Sequence, residues 1–269
     1  MSLYNEKLNY HFTYKNFAAL LNKYEYHFHP GDIVAGTILN IETSCVLVDI
    51  GATTIGFLPV EEISSNRIQD VSKYLKLNEV REFFILFFDP QSRQILISMK
   101  KVELIRAWKR IQQLYAENAI LQTQVIRSNR GGYIVQLEGI KGFIPNSHLI
   151  LMNKDTNLVN TVIAAKILEL DESQSYLLLS LRCAYIQKNR HLFTLGKIVT
   201  GIIYSIQPYG LFINVEQLQG LLHASEIIKR PEESLKEMFT LGQELSVMII
   251  HVDNQKGRIT FSQRGIMSN

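Results

Sequence analysis

With 269 residues, 46% of them hydrophobic, the chain has the composition of a globular protein and the length for more than one domain. No apolar run approaches the roughly 18 residues needed to cross a bilayer, so no membrane partner is expected. A net charge of +3 permits a nucleic-acid partner without requiring one, which leaves any binding face to local arrangement. The opening segment MSLYNEKLNYHFTYKNF has no basic stretch ahead of an apolar one and is poor in Arg and Ser, so neither a secretory signal nor a transit peptide is expected. Cys45 and Cys183 fall in different parts of the chain, so no disulfide is expected and a reducing compartment fits.

Residues 1–29 read as an N-terminal helical segment, in which Thr13 caps a helix whose apolar stripe is Phe17, Leu20, Leu21 and Tyr24. His27 and His29 stand near Glu25, but no further ligand set accompanies them and no metal site is expected. Pro30-Gly31 ends this element and opens a first unit, 30–100, with GDIVAGTILNI from Gly31 and GFLPVEEI from Gly56. A linker helix follows over 101–118. Its stripe is Leu104, Ile105, Trp108, Ile111, Leu114 and Tyr115, opposite Lys101, Arg106, Lys109, Arg110 and Gln113, and it is expected to dock on a neighbouring barrel.

The second unit, 119–182, repeats the pattern with AILQTQVIRSN from Ala119 and GFIPNSHL from Gly142. A short connector, CAYIQKNRHLF, fills 183–194. The third unit, 195–264, carries GKIVTGIIYSI from Gly196 and GLLHASEI from Gly220, and 265–269 form a tail. Each unit closes on an Asp nine residues before a Ser: Asp89 and Ser98, Asp171 and Ser180, Asp253 and Ser262. A repeat of roughly 70–80 residues exceeds a solenoid unit and is large enough for its own core.

Within the third unit, five alternating segments surround one helix-like stretch between the third and fourth, from Glu226 to Phe239. That order predicts a mainly β protein of three tandem five-stranded OB-fold barrels joined by helical linkers, with a five-stranded sandwich as the competing topology.

The third unit also holds the best candidates for chemistry. In LFINV, Leu211, Ile213 and Val215 are expected to point inward, which leaves Phe212 on the outer face with Asn214. Tyr209 precedes the turn glycine Gly210, and His223 ends the following strand. Asp253, Lys256 and Arg258 come from the last hairpin. Exposed aromatics stack on bases, and a nearby guanidinium meets phosphates, so these residues suit single-stranded nucleic acid. Alternation alone is equally compatible with a surface cluster of Tyr209 and Phe212 covered by a linker helix, with a structural role for His223, and with a hairpin ion pair between Asp253 and Arg258. For Asp253 the ion pair is the better reading, because a carboxylate repels phosphate.

The run GKIVTGIIYSIQPYGLFINV, with GLLHASEI and GRITFSQR, closely resembles the S1 RNA-binding repeat, an OB-fold barrel. The resemblance implies an RNA face on Tyr209, Phe212, His223, Asp253 and Arg258. The corresponding positions are Ser44, Leu47, Pro59, Asp89 and Gln94 in the first unit, and Gly131, Ile134, Pro145, Asp171 and Tyr176 in the second. Neither set retains the stacking pair or the His. The second unit gathers Arg127, Arg130, Tyr133 and Lys141 around Gly131-Gly132, either a phosphate-tracking surface or a solvated loop.

The order GFLP, RGGYIVQLEGIKGFIPNS and GLLHASEI, joined by an RAWKRI helix and a KNRHLF connector, resembles the S1 family of the small ribosomal subunit in its short cyanobacterial and plastid form. This implies a ribosome-associated protein that binds single-stranded mRNA and supports initiation, in plastid stroma or bacterial cytoplasm. The alternative is a free RNA-binding regulator of mRNA stability or antitermination. The sequence contains no P-loop, CxxC, HExxH or GxSxG, so no catalytic residues, cofactor or small-molecule substrate are expected.

Overall fold

The computed structural model describes residues 28–51, 54–64, 70–89, 94–151, 156–228, 234–264 and 266, which fall into two compact units divided after Ile105. The helix expected on Phe17, Leu20, Leu21 and Tyr24 lies outside the described residues.

In the first unit, β1 (Ile33–Ile41), β2 (Cys45–Asp49), β3 (Gly56–Pro59), β4 (Val80–Asp89) and β5 (Gln94–Ser98) close into a barrel in the order β1-β2-β3-β5-β4. A 3-10 turn at Val60–Glu62 and the one-turn helix α1 (Val71–Tyr74) lie between β3 and β4. Alternation sends Val46, Val48, Leu58, Ile95 and Ile97 inward, where Ile38, Phe83 and Ile85 join them in a fully buried core.

Helix α2 (Met99–Ala116) begins in the first unit and ends in the second. In its second half Trp108 and Ile111 are buried. Gln112 Nε2 donates to Glu172 Oε2 at 2.9 Å and Arg110 Nε lies 3.4 Å from Glu138 Oε1, so this half docks on the second barrel. Tyr115 does not share the buried stripe and is 44% exposed. It stands one residue past the half-buried Leu114, about 100° of helical rotation further on, and so falls on the shoulder of the helix.

The second barrel comprises β6 (Ile120–Asn129), β7 (Gly132–Leu137), β8 (Ile140–Pro145), β9 (Val162–Asp171) and β10 (Tyr176–Ser180), in the order β10-β8-β7-β6-β9. After the connector helix α3 (Leu181–Lys188), the third barrel is built from β11 (Ile198–Gln207), β12 (Gly210–Val215), β13 (Leu218–His223), β14 (Glu244–Asp253) and β15 (Arg258–Ser262), in the order β11-β12-β13-β15-β14. Helix α4 (Leu235–Met238) lies between its third and fourth strands. The sandwich alternative is excluded, because all three sheets are closed and leave no open edge.

The recurring Ser of the sequence pattern has a structural cause. Ser98 and Ser262 are buried, and each donates its hydroxyl at 2.6 Å to a carboxylate of the 3-10 turn after the third strand, Glu62 and Glu226 respectively. In the second barrel His148 takes the place of that carboxylate and lies 3.0 Å from Ser180 Oγ through Nδ1. Ser180 also caps α3 by accepting the N–H of Cys183 at 3.1 Å.

The second and third barrels share several direct contacts. Arg182, on α3, donates to Ser147 O at 3.2 Å and to Gln219 O at 2.5 Å, one carbonyl on each barrel. Leu151 N donates to Gln217 O at 2.9 Å, and Cys183 Sγ to Gln255 O at 3.4 Å. Gly257 packs so closely on α3 that a Cβ there would lie 3.1 Å from Arg182 Cβ and 3.2 Å from Cys183 Sγ. Ile186 and Phe193 of the connector are buried with the core of the third barrel. Cys45 and Cys183 are both free thiols.

Candidate nucleic-acid interface

Strand β12 alternates as expected. Leu211, Ile213 and Val215 are buried, while Phe212 and Asn214 face outward and are half-buried. Tyr209, in the turn before β12, is 51% exposed, and its ring meets Phe212 edge-to-face with centroids 6.2 Å apart at 90°. Edge-to-face contact fixes the two rings at right angles and leaves faces for further stacking.

Strand register extends the face beyond these two rings. Ser205 on β11, Phe212 on β12, Leu221 on β13, Thr260 on β15 and His251 on β14 are successive partners, forming one outward row across the barrel. His223 pairs with Gly210 and points outward at one end of the face, beside Tyr209. Its Nδ1 accepts the N–H of Ser225 at 3.2 Å and also contacts Ser225 Oγ at 2.8 Å, which fixes the ring over the start of the 3-10 turn. Arg258 stands two residues before Thr260 and marks the other end. At about 3.3 Å per residue the face is on the order of 13 Å long, enough for two or more stacked bases.

Arg258 is exposed, and its side chain makes no hydrogen bond or ion pair among the described residues. Asp253 is its register partner, yet the expected hairpin ion pair does not form. Asp253 Oδ1 instead accepts the N–H groups of Lys256 at 2.8 Å and Gln255 at 2.9 Å, and these hold its carboxyl below the usual carboxylate range. The turn claims the carboxylate first, because its N–H groups are fixed in place while the Arg258 side chain must be ordered to reach it. Lys256 is exposed at the tip of that turn.

The same row exists in the other barrels with different side chains. In the second it reads Arg127, Ile134, Phe143, Leu178 and Glu169, with Lys141 outward two residues before Phe143. Arg130 is exposed in the adjoining turn, and Tyr133 is turned to Thr156 O at 3.1 Å. Arg127 and Lys141 thus share one face, which ends in a carboxylate, and no exposed aromatic pair accompanies them. In the first barrel the row is Asn40, Leu47, Phe57, Leu96 and Phe87, apolar beyond its first residue, with Phe57 and Phe87 37% and 56% exposed.

Sequence reasoning missed Tyr204, Leu221, Thr260 and His251. Tyr204 sits at the β11 bulge and is 61% exposed, next to the row that holds Phe212. His251 follows the bulge between Ile249 and His251, which shifts the alternation by one and turns outward a residue that strict alternation from Val247 and Ile249 would bury.

A family model for the S1 RNA binding domain matches three stretches, 27–100, 114–182 and 192–264, one per barrel. Small ribosomal subunit protein bS1c of Porphyra purpurea is 45% identical over 258 residues, covering 96% of this chain and 98% of that one. Small ribosomal subunit protein bS1 of Synechococcus sp. is 42% identical over 253 residues, covering 94% of this chain and 82% of that one. The chain belongs to the bS1 family. It is an RNA-binding protein built of three S1 domains, and strand register places the expected S1 positions of each repeat as the sequence aligned them: Phe212 opposite Leu221, Ile134 opposite Phe143, Leu47 opposite Phe57. Among the described residues of these bS1 barrels, only the third combines exposed stacking rings, a histidine and an uncommitted arginine on one face.

Proposed function

We propose that this protein works on the small ribosomal subunit of a plastid or bacterial ribosome, where its third barrel holds single-stranded mRNA and supports initiation. The observation that carries this reading is the exposed Tyr209–Phe212 pair on the same face as His223 and the uncommitted Arg258. Bases stack on the rings with little sequence preference, and Arg258 with Lys256 meets the phosphates. Asp253 holds the hairpin in shape. Arg127, Arg130 and Lys141 extend a basic path on the second barrel. The apolar outer row of the first barrel suits a protein contact, which supports a docking role there.

The experiment is co-sedimentation of the purified chain with small subunits on a density gradient, with and without a labelled single-stranded RNA. Joint migration of protein and RNA with the subunit is expected. Protein and RNA that remain together at the top of the gradient would instead describe a free RNA-binding regulator.

A further inference from the structure

We propose that the joint between the second and third barrels is a phosphate-binding site for single-stranded RNA, formed by Arg182, Arg258 and His148, which carries a strand from the third barrel onto the second. The site rests on the reading that the third barrel holds RNA.

Among the described residues neither Arg182 nor Arg258 forms an ion pair. Arg182 binds, among the described residues, two carbonyl oxygens, Ser147 O and Gln219 O, and its buried Nε has no hydrogen-bond partner there. Gln219 stands two residues before Leu221 on β13, and Arg258 two residues before Thr260 on the parallel neighbour β15, so both guanidinium groups converge on the Gln219 end of the RNA face. Gly257, which precedes Arg258, packs directly on Arg182.

The internal comparison between barrels is the decisive observation. At the position where the first and third barrels use Glu62 and Glu226 to hold the buried Ser, the second uses His148, immediately after the Ser147 carbonyl that Arg182 engages. The carboxylate that this position carries in the other two barrels is therefore replaced here by an imidazole. Burial first, then the charges of Arg182 and Arg258, hold the His148 imidazole below its ordinary range, so it is neutral at pH 7 and adds a polar ring without a negative charge. Asp253, on the Arg258 hairpin, is occupied by the turn N–H groups of Gln255 and Lys256. The charges of the two guanidinium groups repel each other, and a phosphate placed beside them offsets that repulsion with charge-assisted hydrogen bonds.

The test compares two single-stranded RNAs on the full chain, one of about 4 nucleotides that fits a single barrel and one of about 12 that spans two. Anisotropy is measured across a salt series for the wild type, Arg182→Gln and His148→Glu. The second variant grafts in the residue of the sister barrels and keeps a partner for Ser180, which guards against a simple folding defect. Both variants are expected to weaken the long RNA several-fold and leave the short one unchanged, and Arg182→Gln flattens the long-RNA salt slope by about 0.7, the value of one lost phosphate contact on a single strand. Equal effects on both RNAs, or no effect on either, would overturn the joint site while leaving the third-barrel reading in place. A wild type that fails to bind the short RNA would overturn both.

Discussion

Replacing Tyr209 and Phe212 together by alanine is expected to weaken binding of a short single-stranded RNA by about 2–6 kcal/mol, at roughly 1–3 kcal/mol per stacked base. The salt dependence should barely change, because neither ring contacts a phosphate. The fold should survive, since Tyr209 is half exposed and Phe212 lies outside the buried core of the third barrel. Fluorescence anisotropy over a salt series separates the two contributions. His223→Ala is a less specific probe, because it also removes the acceptor for Ser225 N–H at the start of the 3-10 turn. If the double variant binds like the wild type, the rings are not the RNA face, and the path has to be sought around Arg127, Arg130 and Lys141.

A large effect on the folding of the third barrel is expected from Gly210→Ala. Gly210 has φ +158°, and a Cβ there would lie 2.4 Å from Leu222 O and 3.0 Å from His223 Cα. Both are backbone atoms of the paired strand, so relief requires β12 and β13 to separate where Tyr209, Phe212 and His223 converge. Overpacking costs typically about 1–3 kcal/mol, and a clash with paired backbone belongs at or above the top of that range. The third barrel should lose cooperative structure while the first retains its own. Because a chain of several domains does not unfold in one step, the measurement is domain-resolved: amide hydrogen exchange read by mass spectrometry. Protection should fall over 198–262 and persist over the strands of the first barrel. Unchanged protection over β12 and β13 would show that the close approach at Gly210 is not required.

Much of this architecture was legible in the sequence. The repeated glycine step, the alternation in LFINV and the Asp-to-Ser spacing each report a local rule that the barrels obey: close backbone approach, inward and outward faces, and a buried hydroxyl tied to the turn after β3, β8 or β13. Four features were not legible. His251 owes its place on the outer face to a strand bulge, which leaves no mark in an alternating pattern. Asp253 and Arg258 face each other across a hairpin, yet the turn N–H groups take the carboxylate. Tyr115 continued an apolar stripe on paper but lies on the shoulder of α2, a distinction that depends on where the helix meets the barrel. The joint around Arg182 was invisible for a further reason: its groups come from α3, β15 and the 3-10 turn after β8, and only their packing brings them together.

The central claim is that the outer face of the third barrel is where RNA is held. Photo-crosslinking of the full chain to a uridine-rich single-stranded RNA, with the attached residues identified by mass spectrometry, tests it most directly. Crosslinks are expected to concentrate on Tyr209, Phe212 and His223, with Tyr204 and His251 on the same face. Crosslinks confined to Phe57 and Phe87 of the first barrel, with the third barrel untouched, would contradict it.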